Sequence, residues 1–375
     1  MRAQRSRRAV IATTVAGLLG IAVAGCTGNS PQPQASMATV PSTAGSAGGI
    51  SAGPSGGTSA GSSAGAAPAA PTSGAAGCPA SGGTAVSSAG ALSSALSSAR
   101  PGEVISLAPG VYTGEFVASV SGTASAPITL CGSRNAVLQG ESINEGYTLH
   151  LDHASWWRLE GFTVEGGQKG VMADESDHDL LYGLYVHGTG DEAIHLRSFS
   201  SDNTVSNNEV RDTGLLKQFY GEGIYVGSAH SNWCTYSGCQ PDRSDGNVLM
   251  DNNIADTTAE NIDIKEGTTG GKITGNQFNG TGMVESAATG WINVKGNDWT
   301  VQDNTGVDSV KNGYQVHQVY SGWGIGNTFI GNRAQVNGPG YGIYVQNKRL
   351  QTVVACNNVV TSAGSGFSTV ACSSA

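Results

Sequence analysis

The chain has 375 residues, a formal charge of −9, and 56 glycines against seven phenylalanines. The negative charge argues against nucleic acid as a partner, since binding there rests on neutralising phosphates with Lys and Arg. It leaves open an acidic polysaccharide, provided a metal ion or a local basic cluster meets the anion.

Residues 1–26 read as a leader. MRAQRSRR is a basic n-region, and the apolar run AVIATTVAGLLGIAVA is too short for a spanning helix. Val23-Ala24-Gly25-Cys26 matches a bacterial lipobox, so the expected mature chain starts at a diacylated Cys26. Removing Arg2, Arg5, Arg7 and Arg8 with the leader takes the charge from −9 to −13. Two acyl chains anchor stably, so the expected location is the outer face of a bacterial cell membrane, with the lipid as the only membrane contact. Ser6-Arg7-Arg8 fits twin-arginine export and an ordinary basic n-region about equally well. Residues 27–77 are almost all Ser, Gly, Ala, Thr and Pro. Such a stretch has no apolar surface to offset its ordering entropy and is expected to be a flexible tether.

The third region, 78–375, holds the six remaining cysteines, and an even count in an exported chain implies disulfides. Proximity pairs Cys234 with Cys239 and Cys356 with Cys372, leaving Cys78 for Cys131. No Cys/His grouping suggests zinc. ALSSALSSAR (91–100) reads as a short helix, and the strand–turn–strand pattern PGEVISLAPGVYTGEF after it suits an end cap.

From about residue 149 the chain repeats every 22 to 30 residues or so, a solenoid period. Successive first strands are GVMADE (170–175), AIHLRS (193–198), GIYVGS (223–228), NIDIKE (261–266), WINVKG (291–296), GYQVHQ (313–318) and GIYVQN (342–347). The second strands carry an Asn at one place, read as Asn208, Asn253, Asn276, Asn304, Asn332 and Asn358, whose side chains would bond from coil to coil. The pattern is that of an all-β, right-handed parallel β-helix with a short N-terminal capping helix. A β-propeller needs a longer period. No coil buries its own apolar face, so the coils must stack and the ends need caps. Nothing signals oligomerisation, and a monomer is expected.

Stacking turns aligned positions into physical rows about 4.8 Å apart. One outward row holds Met172, His195, Tyr225, Asp263, Asn293, Gln315 and Tyr344. The next holds Asp174, Arg197, Gly227, Lys265, Lys295, His317 and Gln346, with Gly227 expected to leave space beside Lys265. A third holds Glu192, Glu222 and Glu260 from three consecutive coils. Three carboxylates at that spacing repel unless a cation sits among them, and calcium favours such oxygens. Glu192, Glu222, Glu260 and Asp263 are therefore candidate calcium ligands, and Lys265, Lys295 and Arg197 candidate catalytic cations.

The combination suits β-elimination on a uronic acid. The carboxylate beside C5 must be neutralised while the C5 proton leaves, and a second acid, a Lys, Tyr, His or water, protonates the departing O4. A Lys can act as the base where a neighbouring cation and partial burial lower its pKa. The competing reading is a solvated face of surface ion pairs, worth little. Two insertions favour a site: GLLKQFYG (214–221) and SAHSNWCTYSGCQPDRSDG (228–246) interrupt an otherwise regular repeat. They offer Tyr220, Trp233 and Arg243, with Tyr225 and His317 from the rows, as sugar contacts.

The overall pattern resembles the right-handed β-helix polysaccharide lyases, the pectin lyase-like group that includes pectate lyases. The segment ENIDIKEG…WINVKGNDWTVQDN (260–304) is similar to the chondroitinase B and alginate lyase family. The resemblance implies that Glu260 is a calcium ligand, Lys265 the base and Lys295 the second basic catalytic residue. That family has another Glu where this chain has Thr258, and Arg where it has Lys295. Glu222 and Glu192 would supply the missing carboxylates. The expected function is a surface-tethered, calcium-assisted lyase of an acidic polysaccharide of the pectate, alginate or glycosaminoglycan kind. The alternatives are a non-catalytic glycan-binding or adhesive solenoid, or a C5-epimerase or glycoside hydrolase on the same fold.

Overall fold

The computed structural model describes Cys78 and residues 83–374, all within one compact unit, Ser63–Ala375. The leader, Cys26 and the 27–77 tether lie outside the described residues. No described helix is long and apolar enough to cross a membrane.

The short aliphatic strands stack as their alternation requires. Three parallel sheets of eleven, ten and ten strands run the length of the domain, and each coil contributes one strand to each sheet in turn. The fold is the right-handed parallel β-helix. The sheet that runs from Phe116–Ala118 to Gly366–Ser368 carries the charged rows and is called the site sheet below. Its inward column, Ile194, Ile224, Ile262, Ile292, Tyr314 and Ile343, is wholly buried. Each such side chain contributes about 1.5–3 kcal/mol of burial, which only the neighbouring coils make available.

The helix Ala89–Ser98 closes one end, starting two residues earlier than the sequence suggested. Ser88 caps it by accepting from the Ala91 amide, and Leu92, Ala95 and Leu96 cover the first coil. The disulfides Cys78–Cys131, Cys234–Cys239 and Cys356–Cys372 form as expected.

The asparagine ladder is present with one correction. Its members are Asn208, Asn252, Asn276, Asn304, Asn332 and Asn358, each Oδ1 accepting the backbone N–H of the ladder residue before it at 2.9–3.0 Å. Asn253 is exposed in the strand Asn253–Ile254, while Asn252 is fully buried. Two adjacent asparagines compete for the place, and the buried backbone amide selects the one whose side chain points inward.

Candidate functional site

Backbone pairing puts the outward columns in the expected register. Met172, His195, Tyr225, Asp263, Asn293, Gln315 and Tyr344 are successive partners across seven strands. On this sheet Glu222, Glu260 and Asp263 each offer an oxygen, all within 4.8 Å of one another, and all three are buried.

Asp263 is the hub. Lys265 Nζ lies 2.6 Å from its Oδ2, and Lys295 Nζ lies 2.7 Å from both oxygens. Burial pushes the Asp263 carboxyl up, but the two ammonium charges outweigh it and hold it below its ordinary value. Three carboxylates against two ammonium groups leave one negative charge over. Glu222 is the member of the group whose Oε2 is buried without a hydrogen-bond partner. Burial and the Glu192 charge push Glu222 well up, while burial and Asp263 push Glu260 up. Glu260 spends one oxygen on Asn293 Nδ2, at 3.1 Å. An all-oxygen set with an uncompensated charge suits a hard divalent cation, for which Glu222 and Glu260 are the available ligands.

Lys265 departs from expectation. Burial pulls its ammonium down, but Asp263, Tyr225 and Glu222 outweigh that and raise it well above 10.5. The neighbouring cation that the sequence reading supposed, Lys295, is present on the same Asp263 oxygen, but the anions prevail. Its Nζ sits 4.6 Å over the Tyr225 ring. Burial keeps the Tyr225 phenol neutral, and its ring lies 4.3 Å from that of His195. His195 Nε2 is 2.9 Å from the Gly227 carbonyl and must donate to it, which leaves Nδ1 a lone pair with no hydrogen-bond partner. Glu192 Oε1 stands 3.5 Å from that Nδ1, too far and too poorly aligned to bond. Burial, with the Arg197 and Lys169 charges, keeps the His195 ring neutral. The Gly227 position is not open space. Its φ is +80°, and a Cβ there would stand 2.6 Å from Thr268 Cγ2.

A cavity of about 330 Å³ opens beside Tyr225, lined by His195, Glu192, Lys169, Arg197 and Tyr220 among others. Glu192 is on the expected row but is held by Lys169, outside the three-carboxylate group. Arg197 belongs to the cavity and not to the Lys265 cluster. It forms a two-pronged pair with Asp174 at 2.7 and 2.8 Å, and its guanidinium lies 3.9 Å from the Tyr236 ring centre. Tyr220 is half exposed at the cavity, whereas Trp233 is buried and donates its Nε1 proton to the Ser228 carbonyl. Trp233 therefore packs the loop wall against His230 and Tyr320 instead of facing a ligand. Arg243 pairs with Asp245 and does not line that cavity. His317 joins the cluster indirectly, 2.8 Å from Asn293 Oδ1, and burial together with the Lys295 charge lowers it to about 4. Thr258 bonds the Gln218 carbonyl and stays out of the cluster.

The sequence reading passed over Asn293, Tyr236 and Lys169. Asn293 stood in an outward row next to Asp263, the signal that could have found it. Tyr236 sits in an insertion whose path no repeat predicts.

Comparison with solved structures gives a close relative, an alginate lyase from Paenibacillus sp. str. FPU-7. It is 37% identical, with 76% of this chain and 97% of that one aligned at a TM-score of 0.69. The family model for NosD, described as a periplasmic copper-binding protein, matches residues 113–316. This chain is a member of the NosD family and a relative of that alginate lyase. Two more distant structures share the fold. Pectate lyase Pel9A aligns at 16% identity over 76% of each chain, TM-score 0.53. A polygalacturonase from Erwinia carotovora ssp. carotovora aligns at 11% over 79% of this chain and 97% of its own, TM-score 0.51. No curated protein sequence matches the chain. Residues 113–316 include Glu222, Glu260, Asp263, Lys265 and Lys295, so the charge cluster lies on the matched coils.

Proposed function

We propose that this protein is a lyase that cleaves a uronic-acid polysaccharide of the alginate kind by β-elimination. The observation that carries the reading is the buried Asp263 with two lysines on it, next to Tyr225 of the cavity wall, in a chain 37% identical to an alginate lyase. Lys265 is partly exposed while Asp263 stays buried beneath it. Lys295, also held by Asp263, supplies a second fixed positive charge for a uronate carboxylate and for the charge that develops on it. The C5 proton passes to Lys265 once that residue is neutral, the C4–O bond breaks, a C4=C5 double bond forms, and the Tyr225 phenol protonates the leaving O4. The proton on Lys265 then returns to the Tyr225 oxygen, restoring both groups.

The anions around Lys265 oppose its neutral state. Calcium held by Glu222 and Glu260 would supply positive charge that loosens the hold of those anions on the Lys265 proton. His195, a neutral ring, is part of the adjoining cavity wall, its Nδ1 buried and without a hydrogen-bond partner. Copper, the metal of the NosD description, has no thiolate set here, since all six cysteines of the described residues are in disulfides. Those disulfides and the periplasmic description of the family support an exported domain, and the lipobox cysteine supports a lipid anchor.

The test is incubation of the purified protein with alginate, pectate and chondroitin in calcium, followed in the ultraviolet for the unsaturated product. Alginate is expected to give product with the wild type and none with Lys265→Ala. Retention on an alginate column with no product from any of the three would replace the lyase reading with a glycan-binding one.

A further inference from the structure

The Arg197 guanidinium lines the 330 Å³ cavity and is only partly used by its own protein. Its side chain is 6% exposed. A guanidinium has five N–H donors. Nε and Nη2 each give one to an Asp174 oxygen, and Nη2 is also 3.3 Å from the Tyr147 hydroxyl oxygen. The two donors on Nη1 have no acceptor among the described residues. Nη1 is not sealed off, in contrast to the closed-in, partnerless Asp191 Oδ1 and Glu222 Oε2. Tyr147 has the same surplus. It is half-buried and lines the same cavity, and its oxygen accepts from Arg197, which leaves its own O–H proton without an acceptor.

The guanidinium is fixed in this attitude. Asp174 is its direct partner on the preceding strand and grips the Nε–Nη2 edge as a fork. The Tyr236 ring covers one face, its centre 3.9 Å away, from within the loop that Cys234–Cys239 closes. Burial opposes the Arg197 charge, but Asp174 outweighs it. The two carboxylates that line the cavity are already engaged. Lys169 holds Glu192, and Asp191 accepts from Gln168 Nε2 at 2.8 Å and lies 3.9 Å from Lys169 Nζ. Lys217 adds an exposed cation at the rim.

Unspent donors on a fixed cation call for an anion with two acceptor oxygens, and a planar carboxylate matches a guanidinium. We propose that Arg197 Nη1 and the Tyr147 hydroxyl form a subsite for the carboxylate of one uronate residue of the polymer, with Lys217 at its rim. The subsite extends the lyase reading and rests on it for the identity of the polymer. The strand of Arg197 is second in the stack from that of Lys265. Tyr225, on the strand between, lines the cavity and has the Lys265 ammonium 4.6 Å over its ring. A polymer crossing the strands for about 10 Å therefore reaches both places.

The test uses the full chain with Lys265→Ala, so that substrate stays intact, titrated calorimetrically with alginate oligosaccharides. Tyr147→Phe removes the hydroxyl and keeps the ring. Arg197→Lys keeps a charge for Asp174 and removes Nη1. Arg197→Lys should weaken binding about tenfold or more, the worth of hydrogen bonds to a charged group, and Tyr147→Phe about fivefold. Oligosaccharides whose carboxylates have been reduced to alcohols should lose at least as much with Arg197 intact. Native binding unchanged by Tyr147→Phe overturns the subsite, and that variant decides alone if circular dichroism shows Arg197→Lys unfolded. Reduced oligosaccharides that bind as tightly as native ones overturn it as well. The two readings fail separately. Unsaturated product from the wild type, with binding indifferent to both substitutions, removes the subsite alone. No product, with binding that both substitutions weaken, removes the lyase and leaves the subsite standing.

Discussion

Glu222→Gln and Asp263→Asn each replace one carboxyl group of the same cluster with almost no change of shape, and they should move stability differently. The wild type holds three carboxylates against two ammonium groups. Two like charges 4.8 Å apart, the widest separation in the group, repel by about 3.5 kcal/mol at an effective dielectric constant of about 20. Burial and the Glu192 charge already push the Glu222 carboxyl well up toward its neutral form, so Glu222→Gln would relieve at most that repulsion while giving the partnerless Oε2 position a chance to donate. The Asp263→Asn change takes away the anion that both lysines touch. Breaking a buried pair costs about 3–5 kcal/mol, and in a domain of this size 1 kcal/mol is about 2 °C of Tm. Thermal unfolding followed by circular dichroism, in chelator at neutral pH, should then show Asp263→Asn melting about 6–10 °C below the wild type. Glu222→Gln should melt at or above it. A Glu222→Gln protein that melts as low as Asp263→Asn refutes the charge surplus, and an Asp263→Asn protein with wild-type Tm refutes the hub.

Calcium at about 100 times its dissociation constant adds about 2.7 kcal/mol, or about 5 °C of Tm, to the wild type and nothing to Glu222→Gln; a wild-type Tm indifferent to calcium takes the ion out of the reading. Burial pushes the Asp174 carboxyl up, but hydrogen bonds from Arg197 and His150 outweigh it and hold the group far below its ordinary 3.8. Its contribution is therefore complete above 3.8 and drains away as pH falls below that value. Asp174→Asn should cost stability at neutral pH, with the gap to wild type closing in acid; a gap that stays constant down to acid unfolding contradicts this. Asn276→Ala strips an acceptor from the Asn252 N–H and the Asn252 Nδ2. Leaving buried donors unpaired costs about 1–3 kcal/mol each, and a drop in Tm under about 1 °C would mean the ladder bears no weight.

The sequence showed most of the fold because a solenoid makes sequence spacing a spatial coordinate. Two alternating apolar residues fix which side of a strand faces out, and the repeat fixes what lies next to it. The cluster of Glu222, Glu260, Asp263, Lys265 and Lys295 was legible for that reason. What stayed hidden depends on contacts between coils. Arg197 shares a column with Lys265, yet Asp174 on the preceding strand claims it. The charge state of Lys265 follows from counting anions within a few ångströms, and from the sequence Asp263 was one candidate calcium ligand among four rather than the anion both lysines touch. Trp233 lies in a loop, where no period says whether an aromatic ring turns inward or outward. Asn252 and Asn253 are neighbours, and only the burial of one backbone amide tells them apart.

The ladder bonds between Asn208 and Asn252 span 44 residues, while those between Asn252 and Asn276 span 24, and the distances are the same to within 0.1 Å. The stack thus measures height by coils and is blind to the contour length of the chain that leaves and rejoins it. The loop residues 229–241 can be lengthened, shortened or exchanged at that corner without a register penalty, while Asp242, which accepts the Ser198 and Phe199 amides, stays with the coil. The recognition surface and the scaffold are free to change at different rates, and a loop transplanted from a related chain at this corner should alter what the groove accepts while the Tm stays near its starting value.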